Sequence, residues 1–340
     1  MLKRICYSAK VVYNGLGTAR ADGAVVIQQS SNQSSESSNA SSKVSSNASR
    51  EVSSNVTRNV IAIVDAADAR EAFAEAEFQD GGFAILPTPA DACVDVRGLS
   101  LAEVQTHLGS LEPCRVGLVS DNLDVLRQLG QMTLAAVPAP YGVMYWAAAT
   151  QDVMQLATTL NDLRKAARDW RVGLWLGAPE LTPLDARRLS QYLQQTDTPL
   201  TLDVRTAADA LTYVTSTPLM AARPALRLPV TSDDGDEALS TLVTEIRKAD
   251  SMVLHCPFED TLRFPWEAFM AQGVDVALGS GRQGGVLEQL VHQLQTQQQQ
   301  HASPLALVRA AVKSGHRALG MTPPRFVRGD DASHITFWSG

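Results

Sequence analysis

From residue 82 to residue 295 the chain repeats one pattern: a short apolar run, a turn, then an amphipathic stretch. Apolar runs fall at 82–87, 116–120, 143–148, 172–176, 200–204, 225–229, 252–255 and 274–278. The 3.6-residue period predicts helices between and after them, over 99–109, 123–132, 151–170, 183–195, 207–217, 236–248, 264–272 and 285–295. Ser100, Thr182 and the Asp121–Asn122 pair stand where N-caps belong. Strands this short and this apolar need cover on both faces. Alternation with helices supplies it in a parallel sheet. About eight such units favour a (β/α)8 TIM-like barrel over an open doubly wound sheet. No G-x-G-x-x-G follows the first run, and the glycines at 279, 281, 284 and 285 end in no G-K-[ST]. A dinucleotide fold therefore has little support, and the spacing does not fit a P-loop.

Composition narrows the function classes. The 340 residues are 45% apolar and 19% charged, with a net charge of −7 and no basic patch. Nucleic acid and anionic membrane are not expected partners. No apolar run approaches the ~18 residues of a membrane span. The first fifteen residues lack the apolar core of a secretory signal, so a cytoplasmic location is expected. Cys6, Cys93, Cys114 and Cys256 lie far apart without a C-x-x-C pair, which reads as reduced, buried thiols.

Residues 30–60 form a degenerate Ser/Asn-rich octapeptide repeat, too polar to offset chain entropy by burial; disorder is expected over 30–58. Its sequons at Asn32, Asn39, Asn47 and Asn55 read as by-products of repeat expansion, given no secretory route. Apolar runs at 22–28 and 59–65 flank the repeat, so it should sit at a hairpin tip, where insertions cost little.

Residues 252–281 carry the most specific signal: MVLHCPFED, a helical stretch, then GVDVALGSG. This resembles the end of the barrel in the amidohydrolase superfamily, in its metal-dependent deaminase/chlorohydrolase branch. There the pattern is roughly V-V-H-C-P-x-S-N, a helix, and G-V-x-V-A-L-G-T-D. The resemblance places Gly281 where the family has its metal-binding, proton-shuttling Asp. The first barrel strand, G-F-V-N-A-H-T-H in the family, aligns with GFAILPTP, so Pro87 and Pro89 stand at its two histidines. The fifth-strand pattern P-L-x-x-H-L-A-E aligns with PLTLDVRT, which puts Asp203 at the histidine and Thr206 at the general acid/base Glu. The sixth-strand histidine falls near the end of ALRLPVTS, with Pro229 the nearest equivalent. Gly315, Ala318, Leu319, Gly320 and Gly329 fit the family's C-terminal segment, and Ser333 replaces its Asp. The resemblance implies a small β-sandwich from both chain ends. Its N-terminal part is 1–29 and 59–80, the barrel 81–315 and the C-terminal return 316–340.

The family hydrolyses C–N or C–Cl bonds with a metal-bound hydroxide, which needs several convergent imidazole or carboxylate ligands on zinc or iron. Of the five positions Pro87, Pro89, Asp203, Pro229 and Gly281, only Asp203 offers a ligand atom, so loss of the ancestral site is expected. The six histidines form no H-x-H and no H-x-x-x-H. His255 reads most simply as a packing residue near the rim. With Glu259, Asp260 and Asp203 it could instead form a rebuilt site on the barrel's C-terminal face. A solvated loop is the plainer reading of Glu259 and Asp260, and a structural salt bridge that of Asp203 with Arg205. Cys256 and His255 are strand neighbours facing opposite ways, which argues against a nucleophilic pair. Two functional classes follow. One is a pseudoenzyme, a structural or regulatory partner in a homo-oligomer or in a hetero-oligomer with an active amidohydrolase. The other is a C–N hydrolase with an atypical site. Small-molecule binding without turnover is a third reading.

Overall fold

The computed structural model describes residues 2–16, 19–31, 56–109, 114–132, 143–148, 152–167, 170–177, 181–206, 210–228, 236–257, 259, 264–282 and 303–338. The strands, in chain order, are β1 Leu2–Tyr13, β2 Ala19–Ser31, β3 Val56–Asp65, β4 Glu77–Asp80 and β5 Ala84–Pro87. There follow β6 Ala90–Asp95, β7 Arg115–Ser120, β8 Val143–Ala148, β9 Arg171–Gly177, β10 Leu200–Asp203, β11 Ala225–Arg227, β12 Met252–His255, β13 Val276–Leu278 and β14 Ile335–Trp338. They divide between two compact units, Met1–Pro87 with Arg325–Gly340, and Thr88–Pro324.

In the first unit both chain ends share one sheet, in the order β14-β5-β1-β2-β3 with β4 on β1. The long pair β2–β3 is antiparallel, from Gly23 opposite Asp65 to Ser31 opposite Val56. The Ser/Asn repeat is thus carried between the ends of these two strands. The expected disorder over 30–58 is corrected at its edges, where Ser30 and Ser31 pair with Thr57 and Val56 and Arg58 pairs with Gln29; its remaining residues lie outside those described. Val12, Val25, Ile27 and Ile85 pack into one buried cluster with Phe326 and Ile335, which ties the C-terminal segment to the N-terminal strands. The described strands of this unit belong to one six-stranded sheet.

The second unit holds the expected alternation. Eight strands pair in parallel and in sequence, from β6 to β13. Caps anticipated from sequence are present. Ser100 N donates to Glu103 Oε2 at 2.8 Å, and Asn122 Oδ1 accepts from Asp124 N at 3.1 Å and Val125 N at 3.2 Å. Thr182 Oγ1 accepts from Asp185 N at 3.2 Å, with Pro183 opening the helix. Each satisfies backbone donors that a helix start leaves open. Beyond β13, Gly281 N donates to Cys93 O at 2.8 Å and Asp95 N to Gly281 O at 2.9 Å. One isolated parallel bridge, Val94–Gly281, thereby links the two edges of the sheet, in place of a continuous ladder.

One boundary differs from the sequence reading. The run aligned with the first barrel strand lies in the other sheet: β5 pairs antiparallel with β14, Pro87 opposite Ile335. Pro87 ends that strand and Pro89 lies between it and β6. Neither proline has an N–H to continue a ladder, so the chain leaves one sheet there and enters the next. The first strand of the parallel sheet is Ala90–Asp95, and Pro87 and Pro89 do not stand at its carboxyl end.

The interior of the parallel sheet is built from small residues around one large one. Ala90, Ala92, Ala225 and Ala277 pack with Trp175 and Leu254. On β12, Met252, Leu254 and Cys256 belong to this cluster. His255 faces the other way, as the period of two requires. The last helix adds to the same core: after Pro304–Arg309 the chain makes a π-helical turn over Ala310–Ser314, and Ala318 and Leu319 enter the cluster.

Candidate functional site

Active sites on parallel β/α folds gather at the carboxyl ends of the strands. There β6 and β10 end in the same three residues, Asp-Val-Arg, at 95–97 and 203–205. The two modules make the same bonds. Asp95 Oδ1 accepts from Arg97 N at 3.1 Å and Nε at 2.9 Å, and Oδ2 from Arg97 Nη2 at 2.6 Å. Asp203 Oδ1 accepts from Arg205 N at 3.3 Å and Nε at 2.9 Å, and Oδ2 from Arg205 Nη2 at 2.7 Å. Both carboxylates are buried and both arginines are partly exposed. Burial pushes the Asp95 carboxyl up, but the bonds and charge of Arg97, with the charge of Arg282, outweigh it and hold Asp95 below the ordinary carboxylate range. Arg97 also feels the charge of Asp203, so the modules belong to one electrostatic neighbourhood.

The sixth strand of the sheet, β11, ends on Arg227. Its side chain is fully buried, and Nη2 donates to Glu259 Oε2 at 2.5 Å. The other oxygen, Glu259 Oε1, accepts from Arg282 N at 2.7 Å. Arg282 in turn approaches Asp95, with Nε 3.6 Å from Oδ2. Gly281 sits inside this network at φ +61°, and a Cβ built on it would lie 2.1 Å from Glu259 Oε1. The Glu259 carboxylate therefore fills the space that a side chain at 281 would need. The position is closed sterically as well as lacking a donor.

Beneath the mouth two polar elements lie in the core. Asp91 is fully buried; its Oδ1 accepts from Ser280 N at 3.0 Å and Cys93 N at 3.2 Å, and Ser280 Oγ donates to Oδ2. Burial pushes its carboxyl up to about 6, against the downward pull of those bonds. Cys93 and Cys256 are both buried, and their thiols are hydrogen-bonded. That bond and burial push the Cys93 thiol well above its ordinary value, so it stays protonated. His255 is buried in an aromatic cluster instead. Its ring stacks on Phe264 at 4.2 Å and meets Trp266 edge-on at 5.8 Å.

The residues singled out from sequence separate accordingly. Asp203 and Glu259 are in the mouth network, each held by an arginine. His255 is packed between β12 and the helix Trp266–Ala271. Asp260 and Pro229 lie outside the described residues. With the first strand now at Ala90–Asp95, the family pattern G-F-V-N-A-H-T-H falls on residues 88–95, and its histidine positions on Cys93 and Asp95. The sixth strand of the sheet ends on Arg227, two residues before Pro229. Sequence reasoning missed Asp95, Arg97, Arg227 and Arg282. The repeated Asp-Val-Arg was a legible signal for the first two; nothing local marked Arg227 as buried.

The corrected positions do not suit a catalytic zinc or iron ion. Cys93 donates its bonding capacity to another thiol, Asp95 and Asp203 are each bound to an arginine, Arg227 is a cation and Gly281 has no donor. Among the described residues, no three histidine, cysteine, aspartate or glutamate side chains converge where a metal ion could be held.

An α/β unit of eight parallel strands in sequence order, with a polar network at their carboxyl ends, has its likeness of fold among solved structures of hydrolases. The chain superposes on Aspergillus niger ochratoxinase with a TM-score of 0.58, at 9% identity over 98% of this chain and 89% of that one. N-isopropylammelide isopropylaminohydrolase from Burkholderia multivorans gives 0.51, at 12% identity over 94% and 89%. A dihydroorotase gives 0.53, at 8% identity over 84% and 85%. In sequence the chain is 34% identical over 129 residues to aminodeoxyfutalosine deaminase of Deinococcus radiodurans. That match spans 35% of this chain and only 28% of the deaminase. No protein-family model matches the chain.

Proposed function

We propose that this protein is an amidohydrolase-fold pseudoenzyme: a closed barrel with a small terminal β-sandwich, without the ancestral zinc or iron, that serves a structural or regulatory role. The observation that carries this reading is the Arg227–Glu259 pair. A buried guanidinium stands at the carboxyl end of the sixth strand, and its carboxylate partner fills the space beside Gly281. Placing a divalent cation against a buried arginine costs Coulomb energy that two arginine-bound aspartates do not offset. The partner in this reading is a second copy of the chain or an active amidohydrolase, since closed symmetric oligomers are the usual setting for such support. A cytoplasmic setting fits four buried free cysteines, and no helix among the described residues is long and apolar enough to cross a membrane.

The deaminase likeness favours a second reading, hydrolysis of a C–N bond by a rebuilt site using Glu259, Asp203 and the neighbouring loop residue Asp260. The two separate in one assay. Purified chain is incubated with aminated purines and pyrimidines in zinc- or iron-supplemented buffer, and ammonia release is followed. The pseudoenzyme reading expects the no-enzyme rate; turnover that Glu259→Gln abolishes establishes the hydrolase. Affinity purification from the native source tests the partner: an intact amidohydrolase or a stable homo-oligomer is expected, and a solitary monomer removes the structural role.

A further inference from the structure

The first residues of β9, β10, β11 and β12 line a cleft at the amino ends of the strands, the opposite end from the mouth. Its 480 Å3 falls within the ~300–1,000 Å3 of small-molecule sites. Three turns that carry the chain from helix back to strand contribute to its wall. Each puts a charged residue in the left-handed region: Asp197 at φ +47°, Arg223 at φ +54° and Asp250 at φ +49°. Glycine is the usual residue there, because it has no Cβ to clash. The next such turn, which lines a different hollow, has Gly273 at φ +75°. Aspartate tolerates the region, and arginine enters it rarely. The ion pairs that these residues make are exposed and add little stability, so folding alone does not ask for them.

The arginines hold donors in reserve. Arg171 spends Nη2 on Asp197, at 2.9 Å from the carbonyl oxygen and again on the carboxylate, and its Nη1 makes no bond among the described residues. Arg223 has one contact among them, Nη1 at 3.1 Å from Asp250 Oδ2. Asp250 does not depend on it, because Arg317 Nη2 donates to Asp250 Oδ1 at 2.8 Å. Asp275 is served by Arg317 at 2.9 Å and by Lys313 at 3.4 Å. Arg223 is thus a cation beyond what these carboxylates need. Acceptors are in reserve too: Asp197 Oδ1 and Gln194 Oε1 take no bond among the described residues. The described lining contains no aromatic ring, so a nucleobase finds no surface to stack on.

We propose that the amino-end cleft binds a small phosphorylated polyol, a sugar phosphate in kind. Arg223 and Arg171 hold the phosphate, whose several oxygens suit guanidinium donors on more than one side chain. Asp197 and Gln194 accept from the hydroxyls. The ligand lies away from the mouth and adds a binding function that catalysis there, or its loss, does not supply.

Calorimetric titration of the full chain at low ionic strength tests it, with glucose 6-phosphate, glucose, glucuronate and inorganic phosphate as probes. Glucose 6-phosphate is expected to bind at least about tenfold more tightly than each of the others. Arg223→Gln should weaken it about tenfold, whereas Arg127→Gln on the helix Leu123–Gln131 should leave it unchanged. Asp197→Asn keeps a residue suited to the left-handed turn and releases Arg171, so it should tighten binding, a gain that misfolding cannot produce. Inorganic phosphate binding as tightly as glucose 6-phosphate would mean an adventitious ion only and overturn the proposal. Equal binding of glucose, preference for glucuronate, no binding of any probe, or full binding by Arg223→Gln would overturn it as well. Each of these outcomes leaves the metal-free reading of the mouth untouched.

Discussion

At the carboxyl ends of the parallel strands, Arg227 is 0% exposed and the Asp95 and Asp203 side chains are 2% and 8% exposed. At the amino ends the ions are as numerous but open to water. Arg171 pairs with Asp197, which is 91% exposed, and Arg223, 69% exposed, lies 3.1 Å from Asp250. Arg317 bridges Asp250 at 2.8 Å and Asp275 at 2.9 Å. Arg171, Asp197, Arg223, Asp250 and Arg317 line a cleft of 480 Å3. Yet exposed pairs are worth about 0–1 kcal/mol, whereas removing one partner of a buried pair costs about 3–5 kcal/mol. Size of cleft and number of charges are therefore poor guides to which end of this sheet is specified. Burial is the better one, and it selects the mouth.

The comparison breaks most readily at Arg227. Arg227→Met should lower unfolding free energy by about 3–5 kcal/mol in urea titrations, by stranding Glu259. Adding Glu259→Gln should recover much of that loss; if the single variant costs under about 1 kcal/mol, the mouth is no different from the surface. Next in size is Gly281→Asp, which installs the residue that the sequence resemblance would place there. Its Cβ meets the Glu259 carboxylate and the backbone sits in the left-handed region, so a loss of about 1–3 kcal/mol is expected. Coupling with Glu259→Gly in a double-mutant cycle should remove the steric share.

Two buried groups, Asp91 and His316, give the parallel-sheet unit a pH signature. Asp91 titrates near about 6 when folded, above its ordinary 3.8. Its contribution is fully present below 3.8 and is lost as pH rises through about 6. His316 is buried with Nδ1 donating to Val312 O at 2.7 Å; burial, with the charge of Arg115, depresses it from 6.5 to about 4 despite that bond. Its contribution is present above 6.5 and is lost as pH falls through about 4. Between about 4 and 6 the slopes oppose each other. Relative to the parent chain, Asp91→Asn should steepen the loss of stability on acidification from pH 6.5 to 4, and His316→Gln should reduce it. Thermal midpoints measured across that range check both signs. The smallest effect belongs to the amino end: Arg223→Ala should change stability by less than about 1 kcal/mol, and less still in high salt.

Much of this architecture was legible in the sequence, because strand–helix alternation is a strong periodic signal and Ser100, Asn122 and Thr182 cap as their chemistry dictates. The hairpin beneath the Ser/Asn repeat was legible for the same reason. The start of the parallel sheet was not. Residues 84–87 are the more apolar run, because 90–95 carries two aspartates, and only pairing partners decide that one joins β14 and the other β7. That six-residue displacement hid Asp95 behind Pro87 and Pro89. His255 carried two readings in the sequence, packing near the rim or part of a rebuilt site; its ring stacks on Phe264. Arg227 was invisible for a physical reason. Arginine is rarely buried, and its partner Glu259 lies 32 residues away, across a turn and a helix that no local pattern connects.

The central claim is that ion pairs occupy the place where this fold otherwise assembles metal ligands. Its most direct test is the zinc and iron content of the full chain, purified from zinc- and iron-supplemented cells and dialysed without chelator, measured by mass spectrometry. Less than about a tenth of an equivalent per chain is expected, as for a protein without convergent donors. A full equivalent that survives dialysis, and is lost in an Asp95→Asn, Asp203→Asn variant, would contradict the account.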